Sequence, residues 1–181
     1  LVLQEESNSV DLNILSKFLD ENIYKIEKLA GNFIKNIFLI IESEKNLHVN
    51  IAIKKKNYDN SINQKYLENS LIELKDLFKE NFQDQIIMHM IIVNYLINGK
   101  KYSSFVKDLS IDHLCLDVNF VSISNDIVLG FDKILEKYQI KINQYLDGNY
   151  IKNFFIKKDN GLELSEKAYK LVNGYNDNEI T

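Results

Sequence analysis

The chain is short of the residues that make disulfides, kinks and forked anion contacts. Its 181 residues include no proline, no tryptophan and one cysteine, and its basic residues are all lysine. Without arginine, the chain cannot make the two-pronged guanidinium contacts that hold phosphate or carboxylate groups. The lone Cys115 excludes an intramolecular disulfide framework, and its apolar neighbours favour a buried small side chain over a nucleophile. A single cysteine fits a reducing compartment, and we expect a cytoplasmic location.

Positive charge and long apolar segments are scarce as well. The formal net charge is −4 and the isoelectric point is about 5.4, so the broad basic field that attracts nucleic acid is missing. The longest apolar run, residues 86–93, is interrupted by His89 and is shorter than the roughly 18 to 20 residues that cross a bilayer. We therefore expect no nucleic-acid partner and no membrane span. Because the chain begins at Leu1 without a cationic and apolar leader, we interpret it as a piece of a longer cytoplasmic protein.

The first third of the chain predicts a helix followed by two strands. Asp11 has the residue type of an N-cap, apolar residues recur every three or four positions after it, and Gly31 ends the pattern. Residues 37–41 form a continuous apolar run, which is typical of a strand covered on both faces. Residues 47–53 alternate apolar and polar side chains, which is typical of a strand with one face on the core. We expect these two strands to form a hairpin.

The middle of the chain predicts a second helix and two longer strands. Ser61 and Gln64 have the spacing of a capping box, and four apolar residues at helical spacing follow them. A strand over residues 86–97 runs into Asn98 and Gly99, a pair that favours a tight hairpin turn because both residues accept positive φ. The chain then alternates between apolar and polar positions again, which predicts the second long strand. Summed along the chain, the predicted order is helix, strand, strand, helix, strand, strand, strand, helix, strand.

The last third predicts a further helix and strand and then a change of composition. The helix follows Ser124 or Asn125, and the strand lies around residues 140–142. From residue 157 onward the apolar residues thin out, so we expect residues 157–181 to be a polar tail with one short helix. The sequence thus predicts one α+β domain over residues 1–156, with a mixed or antiparallel sheet and helices packed mainly on one face.

Residue types that support catalysis are present but are not grouped. His48 and His113 occupy outward polar positions of predicted strands, and His89 lies within a buried run, where a satisfied core imidazole is the expected role. Asp112 and Asp117 fall on opposite faces of one strand. The six glycines never cluster into a phosphate-binding turn, and no histidine or cysteine pair has zinc spacing. We expect no catalytic residue, no cofactor and no metal in this chain.

Several segments in a fixed order carry a resemblance to a known family. A predicted helix ends in Leu29, Ala30 and Gly31 and feeds the strand over residues 37–41. The further matching features are a strand from His89, Met90 and Ile91 to Asn98 and Gly99, a second strand after Asp108, and a helix from Asn125 leading to Ile140 and Leu146. Across about residues 11–155, this order resembles FtsA, the actin-like family of bacterial cell division.

The resemblance implies a fold and a set of partners. Members of the FtsA family bind ATP, polymerise beneath the inner membrane and tether FtsZ filaments. Their inserted subdomain has the strand-helix-strand-strand arrangement called SHS2, and it implies an SHS2-like unit at about residues 85–150 here. The family's phosphate-binding turns have no matching residues, and residues 107–110 replace its usual proline and glycine-methionine pair. The implied location is the cytoplasm, with access to the inner membrane through other segments or partners.

Two classes of function are compatible with these features. The first hypothesis is a cell-division scaffold or tether that contacts FtsZ, other division proteins or a second copy, by strand addition or apolar docking. Its contact candidates are Asn98, Gly99, Lys101, Tyr102, Phe105 and Asp108. The alternative role for the two aromatic residues is to close the local core. The second hypothesis is part of an actin-like ATP-binding protein whose nucleotide-binding turns lie outside this chain, or a related actin-like tether of pilus assembly.

Overall fold

The computed structural model describes residues 11–56, 64–106, 111–156, 158 and 161–180. Its elements are, in chain order, α1 (Leu12–Ala30), β1 (Asn36–Ile41), β2 (Leu47–Lys56), α2 (Gln64–Asn81), β3 (Gln85–Ile97), β4 (Lys100–Tyr102), β5 (His113–Ser124), α3 (Asn125–Glu136), β6 (Lys141–Asp147), α4 (Gly148–Phe155), α5 (Leu164–Val172) and β7 (Glu179–Ile180). As far as β6, this is the order of helices and strands that the sequence predicts. No helix within the described ranges is long and apolar enough to cross a bilayer.

Local signals set the helix ends. The Asp11 carboxylate accepts a hydrogen bond from the Asn13 backbone N–H at 2.9 Å, and Gly31 ends α1 with φ of 72°. The Ser124 hydroxyl caps α3 in the same way. These three predictions are confirmed, whereas Ser61, which belongs to the capping box expected before α2, lies outside the described residues.

The larger of two sheets is antiparallel, with the strand order β2-β5-β3-β4. The short β7 pairs with β3 along the same edge as β4, through Met90 and Ile91. Asn98 and Gly99 turn β3 back into β4 with φ of 50° and 81°, as their sequence predicts. The other edge strand, β2, pairs with β5 over all ten of its residues without a bulge.

One core fills the space between the larger sheet and α2. Leu74 and Phe78 of α2 are 0% exposed, and the Phe78 ring stacks on Phe120 of β5 with 4.7 Å between centroids. The inward-facing side chains of β2, including Val49 and Ile51, pack against the same core. The amphipathic α2 therefore covers one face of this sheet.

The expected hairpin of β1 and β2 is wrong. β1 instead pairs in parallel with β6, from Asn36 opposite Lys141 to Ile41 opposite Asp147, and makes a small second sheet. The chain leaving β1 crosses to the larger sheet, and the buried Asn46 side chain in this connection donates a hydrogen bond to Asp147 at the end of β6. The cover expected on both faces of β1 is incomplete, because Phe38 is 44% exposed whereas Ile41 is buried.

A second core joins α1 and α3 to the small sheet and to one end of the larger sheet. Leu15 and Leu19 of α1 meet Phe131 of α3, together with Val121 of β5 and Tyr145 of β6. The α+β class is therefore confirmed, as an antiparallel sheet plus a small parallel sheet with helices packed around both. Residues 85–150 supply strands to both sheets and share both cores with α1 and α2.

Residues 157–181 differ from the expected tail. The predicted short helix is present as α5, whose Ala168 and Leu171 are buried against Ile151 and Phe155 of α4. Beyond Gly174, which has φ of 82°, the chain returns to the larger sheet as β7. This segment packs on the fold with few apolar residues, because the backbone pairing of β7 and polar contacts fix the part beyond α5.

Candidate functional site

The most concentrated polar chemistry surrounds His89, in the middle of β3. The register of β3 against β5 shifts between Ile87 and His89, so Met88 is an extra residue in the strand. A bulge of this kind re-aims the side chains around it, and here Met88, His89 and Met90 are all buried. The His89 side chain is 1% exposed and points to the junction of the two sheets, where β6 ends.

Both ring nitrogens of His89 are engaged. Nε2 accepts the backbone N–H of Asp147 at 2.8 Å, and Nδ1 lies 2.5 Å from Oε1 of Glu179. Since Nε2 accepts, the proton sits on Nδ1, which donates to the Glu179 carboxylate. The imidazole therefore has no free lone pair with which to take a proton from a substrate.

Tyr150 joins this arrangement from α4. Its hydroxyl donates to Oε2 of Glu179 at 2.9 Å and accepts a hydrogen bond from Nδ2 of Asn176 at 2.9 Å. Its ring lies 4.5 Å from the His89 ring, centroid to centroid. Burial, and then the neighbouring Glu179 carboxylate, raise the pKa of the Tyr150 phenol above its ordinary value. The phenol is thus held as a proton donor.

Asp147 completes the set. It is fully buried, and its two carboxylate oxygens accept hydrogen bonds from the Tyr150 backbone N–H at 2.6 Å and from Nδ2 of Asn46 at 2.5 Å. Asp147 is therefore the N-cap of α4 and a tether for the β1–β2 connection. The residues of this network, called the His89 cluster below, are Asn46, His89, Asp147, Tyr150, Asn176 and Glu179.

The His89 cluster contains an imidazole, a phenol and two carboxylates, yet these groups form their hydrogen bonds with other residues of the chain. Each buried side-chain nitrogen or oxygen within the described ranges has a hydrogen-bond partner. No group of three histidine, cysteine or acidic side chains in the same part of the chain is placed to hold a metal ion. The cluster joins β3, β6, α4 and β7, and satisfied networks of this kind fix one packing arrangement. The expected core role of His89 is thus what the geometry supports.

The predicted contact residues divide between the surface and the core. Gly99 and Lys101 are exposed at the hairpin, and Asn98, also exposed, accepts hydrogen bonds from the backbone N–H groups of Asp112 and His113 through its Oδ1. Tyr102 and Phe105 are partly buried against the α2 core, where the Phe105 ring lies 5.9 Å from Tyr95. Asp108 lies outside the described residues. Contact of these residues with another protein stays a prediction.

A different surface lies at the β2 edge of the larger sheet. β2 pairs with β5 on one side, and no strand in the described ranges pairs with its other side. Because N–H and C=O groups in an antiparallel strand point alternately to either side, half of the β2 backbone groups face outward from the sheet. The positions from 47 to 53 carry no lysine, aspartate or glutamate, so charge does not guard this part of the edge.

Beside this edge, β2 and α2 enclose a groove of about 530 Å³, called the edge groove below. Its apolar lining includes Ile53 of β2 and two exposed residues of α2, Ile72 (57% exposed) and Leu77 (43%). Its acidic lining is Glu73, Asp76 and Glu80. Lys55 pairs with Glu73, whereas the side chains of Asp76 and Glu80 make no hydrogen bond or ion pair within the described part of the chain.

Sequence reasoning missed the edge groove and one key member of the His89 cluster. Ile72 and Leu77 lie off the apolar stripe that buries α2, and that displacement was the available signal for a second apolar surface. Glu179 stands 90 positions from His89 in a segment that reads as polar, and nothing local marks it as a partner.

Comparisons with known proteins leave the chain without an assigned family. No protein-family model matches it, and no curated protein sequence matches it.

Proposed function

We propose that this chain is a non-catalytic contact module of the bacterial cell-division machinery, which acts as a scaffold or tether. The observation that carries the proposal is the ten-residue edge of β2, which offers backbone hydrogen-bonding groups to an incoming strand. By contrast, the acids, imidazole and phenol of the His89 cluster are consumed by internal hydrogen bonds. The chain thus exposes backbone groups of β2 at the edge of the sheet and uses the reactive side chains of the His89 cluster internally.

The element order supports the assignment to cell division. Apart from the three-residue β4, the elements β2, α2, β3 and β5 follow one another as strand, helix, strand, strand and build one sheet with its helix. This is the order that gives the SHS2 arrangement of the FtsA family its name. The sequence predicts the SHS2-like unit at about residues 85–150, where β3, β4, β5, α3 and β6 run strand, strand, strand, helix, strand, so the support for the proposal is the element order of residues 47–124 alone.

The proposed partners are FtsZ, other division proteins or a second copy of this chain. The exposed hairpin residues Asn98, Gly99 and Lys101 offer a second contact point at the far edge of the sheet. Two separate edges suit a tether, because each can hold a different molecule. The net charge of −4 does not favour binding to polyanions such as nucleic acid, which is consistent with protein partners.

Association measurements test this proposal. Sedimentation velocity of the chain, alone and with FtsZ, should show self-association or a mixed complex at tens of micromolar protein. Co-purification from bacterial cells that express both proteins is the second measurement. Absence of any complex in both would contradict the proposed function.

Nucleotide binding by this chain is a one-sided control, because the competing hypothesis places the nucleotide-binding turns of an actin-like protein outside it, and only a positive result counts. A ligand that binds only the folded chain raises its melting temperature by mass action. We expect ATP with Mg²⁺ to leave the melting temperature unchanged. A rise of several degrees would replace the contact module with a nucleotide-dependent protein.

A further inference from the structure

We propose that the edge groove binds an extended segment of another protein, in which apolar and basic residues alternate on the side that faces α2. This inference rests on the proposed contact function and names the partner's chemistry. The segment would add to β2 as a sixth strand of the larger sheet. Its backbone would pair with the outward N–H and C=O groups of β2, and its side chains would enter the groove.

β2 suits this role because it is long, pairs with β5 in a regular register and carries no protecting charge over most of its length. Its register with β5 runs from Leu47 opposite Ser122 to Lys56 opposite His113 without a shift. Native edge strands are usually protected by bulges, prolines or charges. Here the only charged residues of the strand are the three lysines at positions 54–56, so pairing can extend over about seven residues.

The groove beside the strand selects the side chains of the occupant. Ile53, Ile72 and Leu77 supply the apolar contacts, and Ile72 and Leu77 leave much of their surface uncovered. Successive residues of an added strand point to opposite faces, so every second side chain would meet α2. Apolar residues at some of those positions would cover this surface.

Charge complementarity decides the remaining positions. The groove lining holds three acids and, within the described ranges, no lysine. Glu73 is already paired with Lys55, so Asp76 and Glu80 remain to attract lysine or arginine. A second copy is a poorer occupant, because two-fold pairing of β2 strands would bring the acids of two α2 helices together.

The probe is a fluorescent peptide of about eight residues in which valine and lysine alternate at every second position, with threonine between them. Two matched peptides separate the contributions. One carries glutamate in place of lysine, and the other is N-methylated at alternate residues, in either register, which blocks backbone pairing. Fluorescence anisotropy gives the dissociation constants at low salt, where surface charge acts most strongly.

The matched protein variants are two double charge reversals. Asp76→Lys with Glu80→Lys alters the groove, and Glu21→Lys with Glu136→Lys alters exposed acids of α1 and α3. Each double variant changes the formal charge by +4, from −4 to 0, so the net charge of the two is equal.

We expect the lysine peptide to bind the unaltered chain and the α1/α3 variant equally, and to bind the groove variant at least tenfold more weakly. The glutamate peptide should prefer the groove variant, and the N-methylated peptide should bind none of them. Hydrogen exchange should slow at alternate backbone amides of β2 when the lysine peptide is bound.

Three results would overturn the inference: no binding of the lysine peptide to the unaltered chain, equal weakening by the two double variants, or equal binding of the N-methylated peptide. Association with FtsZ or with itself that is unaffected by Asp76→Lys with Glu80→Lys would overturn the groove assignment while the contact function stands. Loss of all protein association together with intact peptide binding would instead count against the proposed function alone.

Discussion

In the His89 cluster an imidazole, a phenol and two carboxylates are buried or half-buried and bonded to one another or to the backbone, whereas in the edge groove two carboxylates and two large apolar side chains face solvent. His89 is 1% exposed and bonded at both ring nitrogens. Ile72 is 57% exposed, and Asp76 and Glu80 have no side-chain partner within the described ranges. Similar residue types are satisfied internally in one region and left available in the other.

The difference teaches that residue type alone does not locate function in this chain. The His89 cluster has the composition of a catalytic site, but its buried polar side-chain atoms all have partners, and the bonds of His89 and Tyr150 join β3, β6, α4 and β7. The composition of the edge groove does not suggest catalysis, but its outward backbone groups and its acidic side chains are still able to form hydrogen bonds and ion pairs. Binding a partner requires groups that are still free to make hydrogen bonds or contacts, whereas buried polar groups that are already paired contribute to the stability of the fold.

The largest effect is expected from His89→Ala. This substitution leaves the Glu179 carboxylate, 4% exposed, without its imidazole donor and leaves the Asp147 N–H without an acceptor. We expect a loss of about 3–5 kcal/mol of unfolding free energy, measured by urea denaturation. Glu179→Gln keeps an oxygen for the Nδ1–H and should lose less than half as much.

The matched control is His48→Ala, on the exposed face of β2. It should change the unfolding free energy by no more than about 0.5 kcal/mol. Equal losses for His89→Ala and His48→Ala would mean that the cluster contributes nothing specific, and the contrast between the two regions would disappear.

A smaller loss is expected from Asp147→Ala. It removes the N-cap of α4 and the acceptor of the Asn46 side chain, so about 2 kcal/mol of unfolding free energy should be lost. Ser124→Ala removes the less buried cap of α3 and should cost about 1 kcal/mol or less in the same urea titration. Equal losses for the two variants would show that Asp147 acts only as a local cap.

The next effect is a dependence on alkaline pH. Burial raises the pKa of Tyr150 above the ordinary tyrosine value of about 10, so the folded chain keeps a proton that the unfolded chain releases. This contribution is fully present below pH 10 and is lost as pH rises, with a slope of at most about 1.4 kcal/mol per pH unit. Tyr150→Phe should flatten the fall of unfolding free energy between pH 10 and 11.

Tyr24→Phe is the control, because it removes a hydroxyl from a side chain that is 75% exposed. Its profile of stability against pH should follow that of the unaltered chain. Tyr145, whose pKa is also raised by burial and by its hydrogen bond to Asp132, keeps some slope in every variant. A Tyr150→Phe profile as steep as that of the unaltered chain would contradict the buried phenol.

Local features of the fold could be predicted from the sequence because short-range physics determines them. The cap at Asp11, the αL residue Gly31, the turn at Asn98 and Gly99, and the alternation along β2 each involve neighbouring residues only. The order of elements and the α+β class follow from the sum of such signals. These are the parts in which expectation and structure agree.

Pairings between distant residues could not be predicted in the same way. The run of β1 indicated burial on both faces, yet its partner β6 lies about a hundred positions away, and proximity favoured the wrong hairpin with β2. The bond between His89 and Glu179 spans 90 positions. The edge groove depends on which strand ends the sheet, so it becomes visible only after the pairing of β2 with β5 is known.

The smallest effect on stability is expected in the edge groove, from Ile72→Gln. Its side chain is more than half exposed on α2, and glutamine forms helix at least as readily as isoleucine. The unfolding free energy should therefore change by no more than about 0.5 kcal/mol, while the affinity for the valine-lysine peptide should fall, because a groove contact is lost without loss of fold. Urea denaturation and anisotropy on the same sample measure the two quantities. A destabilisation above about 1 kcal/mol would mean that Ile72 already packs within the fold, and the groove would then be as closed as the His89 cluster.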